Sequence, residues 1–179
     1  LLQNIQSADK KMTEKFQIPG VAAIVQRQSD SGIELLVQDR DKADLVAVTG
    51  LLEIPAGKIR QFENLFNTLR REVFEETGLR ITEITGEAEA HNVSLNNYQV
   101  LSCEPFCVSQ NISGHYPIMT VTFLCWGDGE LLKSSNESSN IRWMPMTELA
   151  VLLKQQPQKL YPMHIYALSK YLNLHLKPQ

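Results

Sequence analysis

Hydrophobic positions in this chain fall in short dense runs separated by polar turns, the pattern of a sheet crossed by a few amphipathic helices. After a polar leader over residues 1–17, the apolar runs 21–25 and 33–37 flank Ser29-Asp30-Ser31-Gly32, a good hairpin turn, so the sheet is expected to begin there. The stretch 38–49 is less regular. A short strand follows at 51–55, and Ala56-Gly57 is expected to end it. Leu65, Leu69 and Val73 then recur at four-residue steps with Phe66 beside them and Gly78 placed as a cap, predicting a helix over 63–77. Runs at 99–108 and 118–126 read as paired strands, the second alternating Met119, Val121, Phe123, Cys125 against Thr120, Thr122, Leu124, Trp126. The polar loop 133–140, a short strand at 141–144 and helices at 147–155 and 162–173 close the chain. Strands mixed with helices on this scale predict an α/β fold, a mixed sheet covered by helices, with residues 18–179 forming one domain.

Composition narrows the classes of function. With 179 residues, 43% of them hydrophobic, a single domain would bury roughly 70% of its unfolded surface. A net charge of −3 gives no general basic field, so nucleic acid is not an expected partner and any anionic ligand must be held locally or by a cation. No apolar run reaches the length of a membrane span and the first residues lack a secretory arrangement, so no membrane partner is expected and a cytoplasmic location is. Cys103, Cys107 and Cys125 match no common zinc spacing and are expected as reduced thiols.

The predicted helix over 63–77 carries the main chemical signal. Glu72, Glu75 and Glu76 stand at i, i+3 and i+4, which places their carboxylates within about a 100° arc. Like charges at that spacing repel by roughly 0.2–0.5 kcal/mol per pair, and the negative pole of the helix C-terminus adds to the penalty. Two readings fit: a solvated acidic face offset by Arg70 and Arg71, or a site for a hard divalent cation bound by oxygen. With no His or Cys on this face, Mg²⁺ or Mn²⁺ suits the second reading better than Zn²⁺.

The spacing Gly57, five residues, Glu63, seven residues, then Arg71-Glu72-Val73-Phe74-Glu75-Glu76-Thr77-Gly78-Leu79 resembles a complete Nudix box. The resemblance implies a Nudix α/β/α sandwich and Mg²⁺- or Mn²⁺-dependent hydrolysis of a nucleoside diphosphate linked to another group. It implies metal ligation by Glu72 and Glu76, with Glu75 assisting and the Ala56 carbonyl completing the site. Gly57, Glu63, Arg71 and Gly78 take structural roles, Gly57 permitting a turn and Glu63 orienting Arg71. Glu137, in the polar loop before 141–144, is the candidate general base by the same comparison; its other reading is an ordinary exposed loop acid.

The run Leu52-Glu53-Ile54-Pro55-Ala56-Gly57-Lys58-Ile59 is similar to the segment leading into the box of ADP-ribose pyrophosphatases, and Gln38-Asp39-Arg40 is similar to a Gln-x-Arg element of that group. Arg40 could then bind a terminal phosphate or form a surface salt bridge, and Glu53 could contact substrate or a metal-bound water. Three positions depart from the pattern: no Pro stands near Ser94, Phe62 replaces the glycine common before Glu63, and the N-terminal extension, which in that group often builds a homodimer, is short. ADP-ribose or a related nucleotide sugar is therefore the leading small-molecule substrate. A nucleoside triphosphate, a dinucleoside polyphosphate and a binding module without catalysis are the alternatives. Tyr98, Phe106, Tyr116, Trp126 and Trp143 are candidates to stack a base, the two tryptophans doubling as core residues.

Overall fold

The computed structural model describes residues 14–41, 48–114 and 116–176. Most of the leader read at 1–17, and the middle of the irregular stretch 38–49, lie outside the described residues. The chain runs β1 (Ile18–Ser29), β2 (Gly32–Arg40), β3 (Leu52–Glu53), β4 (Ala56–Lys58), α1 (Leu65–Thr77) and β5 (Arg80–Ile84). It continues through β6 (His91–Leu95), β7 (Tyr98–Ser102), β8 (Cys107–Gln110), β9 (Ile118–Asp128), β10 (Ser138–Pro145), α2 (Met146–Gln155) and α3 (Pro162–His175).

The main sheet has the order β10-β2-β1-β9-β5, with β3 on β2, β4 on β1 and β8 on β9. β1 and β2 form the hairpin expected around Ser29 to Gly32, while β1 pairs β9 in parallel from Ile18↔Ile118 to Gln26↔Trp126, which makes the sheet mixed. β1 is buried on both faces, and its alternation assigns the two helical layers. Val21, Ala23 and Val25 pack with Phe66, Leu69 and Val73 of α1. Ala22 and Ile24 pack with Leu149 of α2 and Ala167, Leu168, Tyr171 and Leu172 of α3. The result is an α/β/α sandwich.

Three expectations change at the level of elements. Ala56 and Gly57 do not end the strand before the helix but form β4, whose register against β1 runs Ala22↔Ala56, Val21↔Gly57 and Gly20↔Lys58. The single strand expected over 99–108 is divided by Cys103 to Phe106: its first half is β7, paired to β6, and its second half is β8, paired to β9. Pro105 can donate no ladder hydrogen bond, which suits it to that break. β5 was not anticipated.

The β6–β7 hairpin forms a sheet of its own, closed by Asn96 and Asn97, both with positive φ (49° and 65°) as a two-residue turn of type I′ requires. Leu101 touches the α1-side core from this hairpin, whereas Val93, Leu95, Tyr98 and Val100, paired in register, are exposed. No helix among the described residues is long and apolar enough to cross a membrane.

Candidate functional site

The site is built where β4 passes beneath α1. Asn64 caps α1, its side chain accepting from the Phe66 and Asn67 N–H groups at 2.8 and 3.4 Å, and Gly78 ends it in the left-handed region with φ 82°. Phe66, Leu69 and Val73 point into the core, so the neighbouring arc that carries Glu72, Glu75 and Glu76 faces β4 along the margin of the buried stripe. The three carboxylates differ in burial: Glu76 is 3% exposed, the Glu72 side chain 14% and the Glu75 side chain 51%.

Gly57 has a specific steric reason to be glycine. A Cβ built there would lie 1.9 Å from Glu72 Cδ, so the Glu72 carboxyl group occupies the space that any side chain would need. Its φ is not in the positive range, and close approach, not the turn expected from the sequence, is what this structure asks of it.

Arg71 organises the outer part of the site. It makes a forked pair with Glu63, Nε to Oε1 at 2.7 Å and Nη2 to Oε2 at 2.8 Å. Its Nη1 donates to Glu72 at 2.6 Å and Glu75 at 3.2 Å, and Nη2 also reaches the Lys58 carbonyl at 3.2 Å. The hydrogen bond from Arg71 holds the Glu63 carboxyl at about 2, against the opposing effect of desolvation, and the Arg60 N–H contributes at 3.1 Å. Arg71 is raised in turn, chiefly by its bond to Glu63.

Beneath the glutamates lies a buried polar chain. Gln38 Nε2 donates to Glu76 Oε2 at 2.8 Å and to Glu53 Oε1 at 3.4 Å, and the Ala56 N–H donates to the same Glu76 oxygen at 3.1 Å. Arg40 Nη1 donates to Glu53 Oε2 at 3.1 Å, with the two side chains 5% and 1% exposed, so this is a buried pair and not the surface salt bridge that the sequence left open. The Arg40 guanidinium lies 4.6 Å over the Tyr161 ring.

A cavity of about 450 Å³ opens beside these groups. Ala56, Gly57 and Glu72 line one side, Arg40 and Glu53 the floor, and Lys58, Tyr116 and Glu137 stand around it. Glu137 is exposed and lies in the loop that leads into β10. The cavity also receives Tyr161 and His164, which sequence reasoning missed. They arrive because α3 starts against β3: the Tyr161 N–H donates to the Leu52 carbonyl at 2.8 Å, and the Ile54 N–H donates to His164 Nδ1 at 3.3 Å. Of the aromatic residues named from sequence only Tyr116 lines the cavity; Tyr98 is on the separate hairpin, Phe106 lies under Lys170, and Trp143 lies under Arg27.

The donors available for a cation are all oxygens, the carboxylates of Glu72, Glu75 and Glu76 and the Ala56 carbonyl, a set that suits a hard divalent ion. The space over Gly57 that admits Glu72 fits the same purpose. Among the described residues, no three His, Cys, Asp or Glu side chains converge as a ready metal cage; Arg71 pairs with Glu72 and Glu75, and Arg60 also reaches Glu75 at 3.9 Å.

A family model described as NUDIX domain matches residues 17–164. Solved structures agree on the fold. The NUDIX domain of NrtR from Shewanella oneidensis, crystallised with ADP ribose, superposes with a TM-score of 0.64 at 18% identity, covering 91% of each chain. A MutT NUDIX hydrolase from Burkholderia pseudomallei gives 0.62 at 19% identity, covering 88% of this chain and 98% of that one. An Ap4A hydrolase from C. elegans gives 0.52 at 14% identity, covering 88% and 97%. No curated protein sequence matches.

Proposed function

The chain belongs to the NUDIX family, and from that premise we propose that it hydrolyses the diphosphate linkage of a nucleoside diphosphate derivative, ADP-ribose or a related nucleotide sugar, with Mg²⁺ or Mn²⁺ held by Glu72, Glu75, Glu76 and the Ala56 carbonyl. The observation that carries this reading is that Glu72, the neighbour of Glu75 and Glu76 on α1, lines a cavity floored by Arg40 and Glu53 and walled by Lys58, Tyr116 and Tyr161. At about 450 Å³ it falls in the range of small-molecule sites.

The reaction adds water across a P–O–P bridge. The water oxygen forms a new bond to phosphorus, the bridging oxygen leaves with its electron pair, and one proton must be taken up. When bound, the cation would neutralise charge on the diphosphate oxygens and make the attacking water more acidic. Glu72 and Glu76 are the principal ligands in this reading and Glu75 assists. Lys58 offers an ammonium group at the wall to a phosphate. Tyr116 and Tyr161 present ring surface to the nucleoside end, and the cation–π contact of Arg40 fixes the Tyr161 ring. Glu137 is the proposed acceptor of the water's proton; its exposed position beside the cavity gives a route for that proton to solvent.

Two observations favour a nucleotide sugar over a triphosphate or dinucleoside polyphosphate. The run 52–59 resembles the segment leading into the box of ADP-ribose pyrophosphatases, and the NrtR domain, which resembles this chain over 91% of its length, was solved with ADP ribose. An intact set of three box glutamates favours catalysis over a binding module.

The test is a panel of nucleotide sugars, dinucleoside polyphosphates and triphosphates assayed with Mg²⁺ or Mn²⁺. ADP-ribose is expected to yield AMP and ribose 5-phosphate, EDTA to abolish turnover, and Glu76→Gln to lower it by about 100-fold or more with the fold retained. Thermal stabilisation by ADP-ribose with no product from any member would instead support a binding module. Full turnover by Glu76→Gln would remove Glu76 from the metal site.

A further inference from the structure

Gln38 is a neutral side chain, 0% exposed, at the centre of a chain of buried acids. The orientation of its amide is determined by its neighbours. Both groups within reach of Nε2, Glu76 Oε2 and Glu53 Oε1, are carboxylate oxygens that can only accept, so the NH₂ end must face them. Gln38 Oε1 then points elsewhere and has no hydrogen-bond partner among the described residues.

This arrangement orders Glu76. One of its oxygens receives two donors, the Gln38 amide at 2.8 Å and the Ala56 N–H at 3.1 Å, which together fix the rotamer and plane of the carboxylate. The amide donates without carrying charge. An Arg or Lys in its place would fix the carboxylate equally well but would cancel the charge a cation needs. Arg71, which does carry charge, contacts Glu72 and Glu75. Gln38 also touches Glu53, the partner of Arg40, so one side chain joins the box helix to the cavity floor.

We propose that Gln38 is a positioning residue of the metal site, acting through Glu76: its amide holds that carboxylate in the orientation in which it binds the cation. The inference rests on the reading of Glu76 as a ligand given above. Partners that orient a ligating group in this way typically contribute about 10–100-fold in metal affinity.

The decisive measurement is Mn²⁺ binding to the metal-free 179-residue chain, by titration calorimetry or by the free-Mn²⁺ spin-resonance signal, well below the melting temperature. Gln38→Met keeps the volume and removes the donor, and is expected to bind Mn²⁺ about 10–100-fold more weakly. Gln38→Asn keeps the amide on a shorter stem, is expected to show a smaller loss, and serves if the Met variant does not fold. Each substitution is repeated in a Glu76→Gln background, where its effect on Mn²⁺ binding is expected to fall to less than about 2-fold, because the group through which it acts is gone.

A lowered melting temperature with unchanged Mn²⁺ affinity would show Gln38 to be purely structural and overturn the proposal. An equal loss in both backgrounds would overturn it too. If the parent protein binds Mn²⁺ and Glu76→Gln weakens it while the Gln38 variants do not, only the positioning role falls. If the parent binds no Mn²⁺, the metal reading falls first and this inference with it.

Discussion

At the scale of single residues, the site balances acids against guanidinium groups, Arg71 outside and Arg40 within. Glu63 has its carboxyl at about 2 in the folded chain against 4.5 unperturbed, because Arg71 donates to both of its oxygens. A depressed folded value means that the contribution is fully present above about pH 4.5 and is lost as pH falls toward 2. Since both side chains are 17% exposed and screened by salt, the contribution at neutral pH is put at about 1 kcal/mol. Glu63→Gln should therefore unfold at lower urea than the parent at pH 7, and the gap should close near pH 2; a gap independent of pH would show that the bond to Arg71 is not its source. The glutamates of α1 were legible from sequence because i, i+3, i+4 spacing is local. Gln38 entered only through its resemblance to a Gln-x-Arg element, and its contact with Glu76 was not legible, nor was the arrival of Tyr161 and His164 at the cavity, since each depends on a partner far along the chain: Glu76, Leu52 and Ile54 respectively.

At the scale of elements, legibility followed the same division between local and distant causes. α1 could be read because its apolar stripe and Gly78 cap belong to one segment, and β1–β2 because a turn signal joins two apolar runs. β6 and its pairing with β7 escaped because the alternating residues are exposed on both strands and the turn is Asn96-Asn97, without the glycine that usually marks such a turn. β4 escaped because three residues become a strand only when β1 supplies the ladder. The departure at Phe62, by contrast, gains a physical meaning. Phe62 has φ 61° in the turn before α1 and is 98% exposed, so a left-handed residue with a Cβ sits where packing returns nothing. Phe62→Gly should relieve that strain, less the extra chain entropy of glycine, for a net gain of about 0.5 kcal/mol seen as a small rise in melting temperature. A fall of that size or more would mean that the Phe62 ring contributes a contact of its own.

At the scale of the whole molecule, β1 couples the two helical layers: Val21, Ala23 and Val25 serve the face bearing the glutamates, and Ala22 and Ile24 the face bearing α2 and α3. Farther along β1, one polar contact pins α3 to the same strand. The Tyr171 hydroxyl, in a side chain 0% exposed, donates to Gln26 Oε1, and burial pushes the Tyr171 phenol up to about 12, so the donor persists through the neutral and mildly alkaline range. Tyr171→Phe keeps the ring and its stack on His175 at 4.2 Å but leaves the Gln26 carbonyl oxygen without that donor in a buried setting. The expected cost is about 1–3 kcal/mol, at some 2–4 °C of melting temperature per kcal/mol for a chain of this size. Because Tyr171 does not line the cavity, the same variant should bind Mn²⁺ as the parent does, opposite to the expectation for Gln38→Met. If Tyr171→Phe weakened Mn²⁺ binding while folded, the two layers would be linked through β1 more tightly than their separate cores imply.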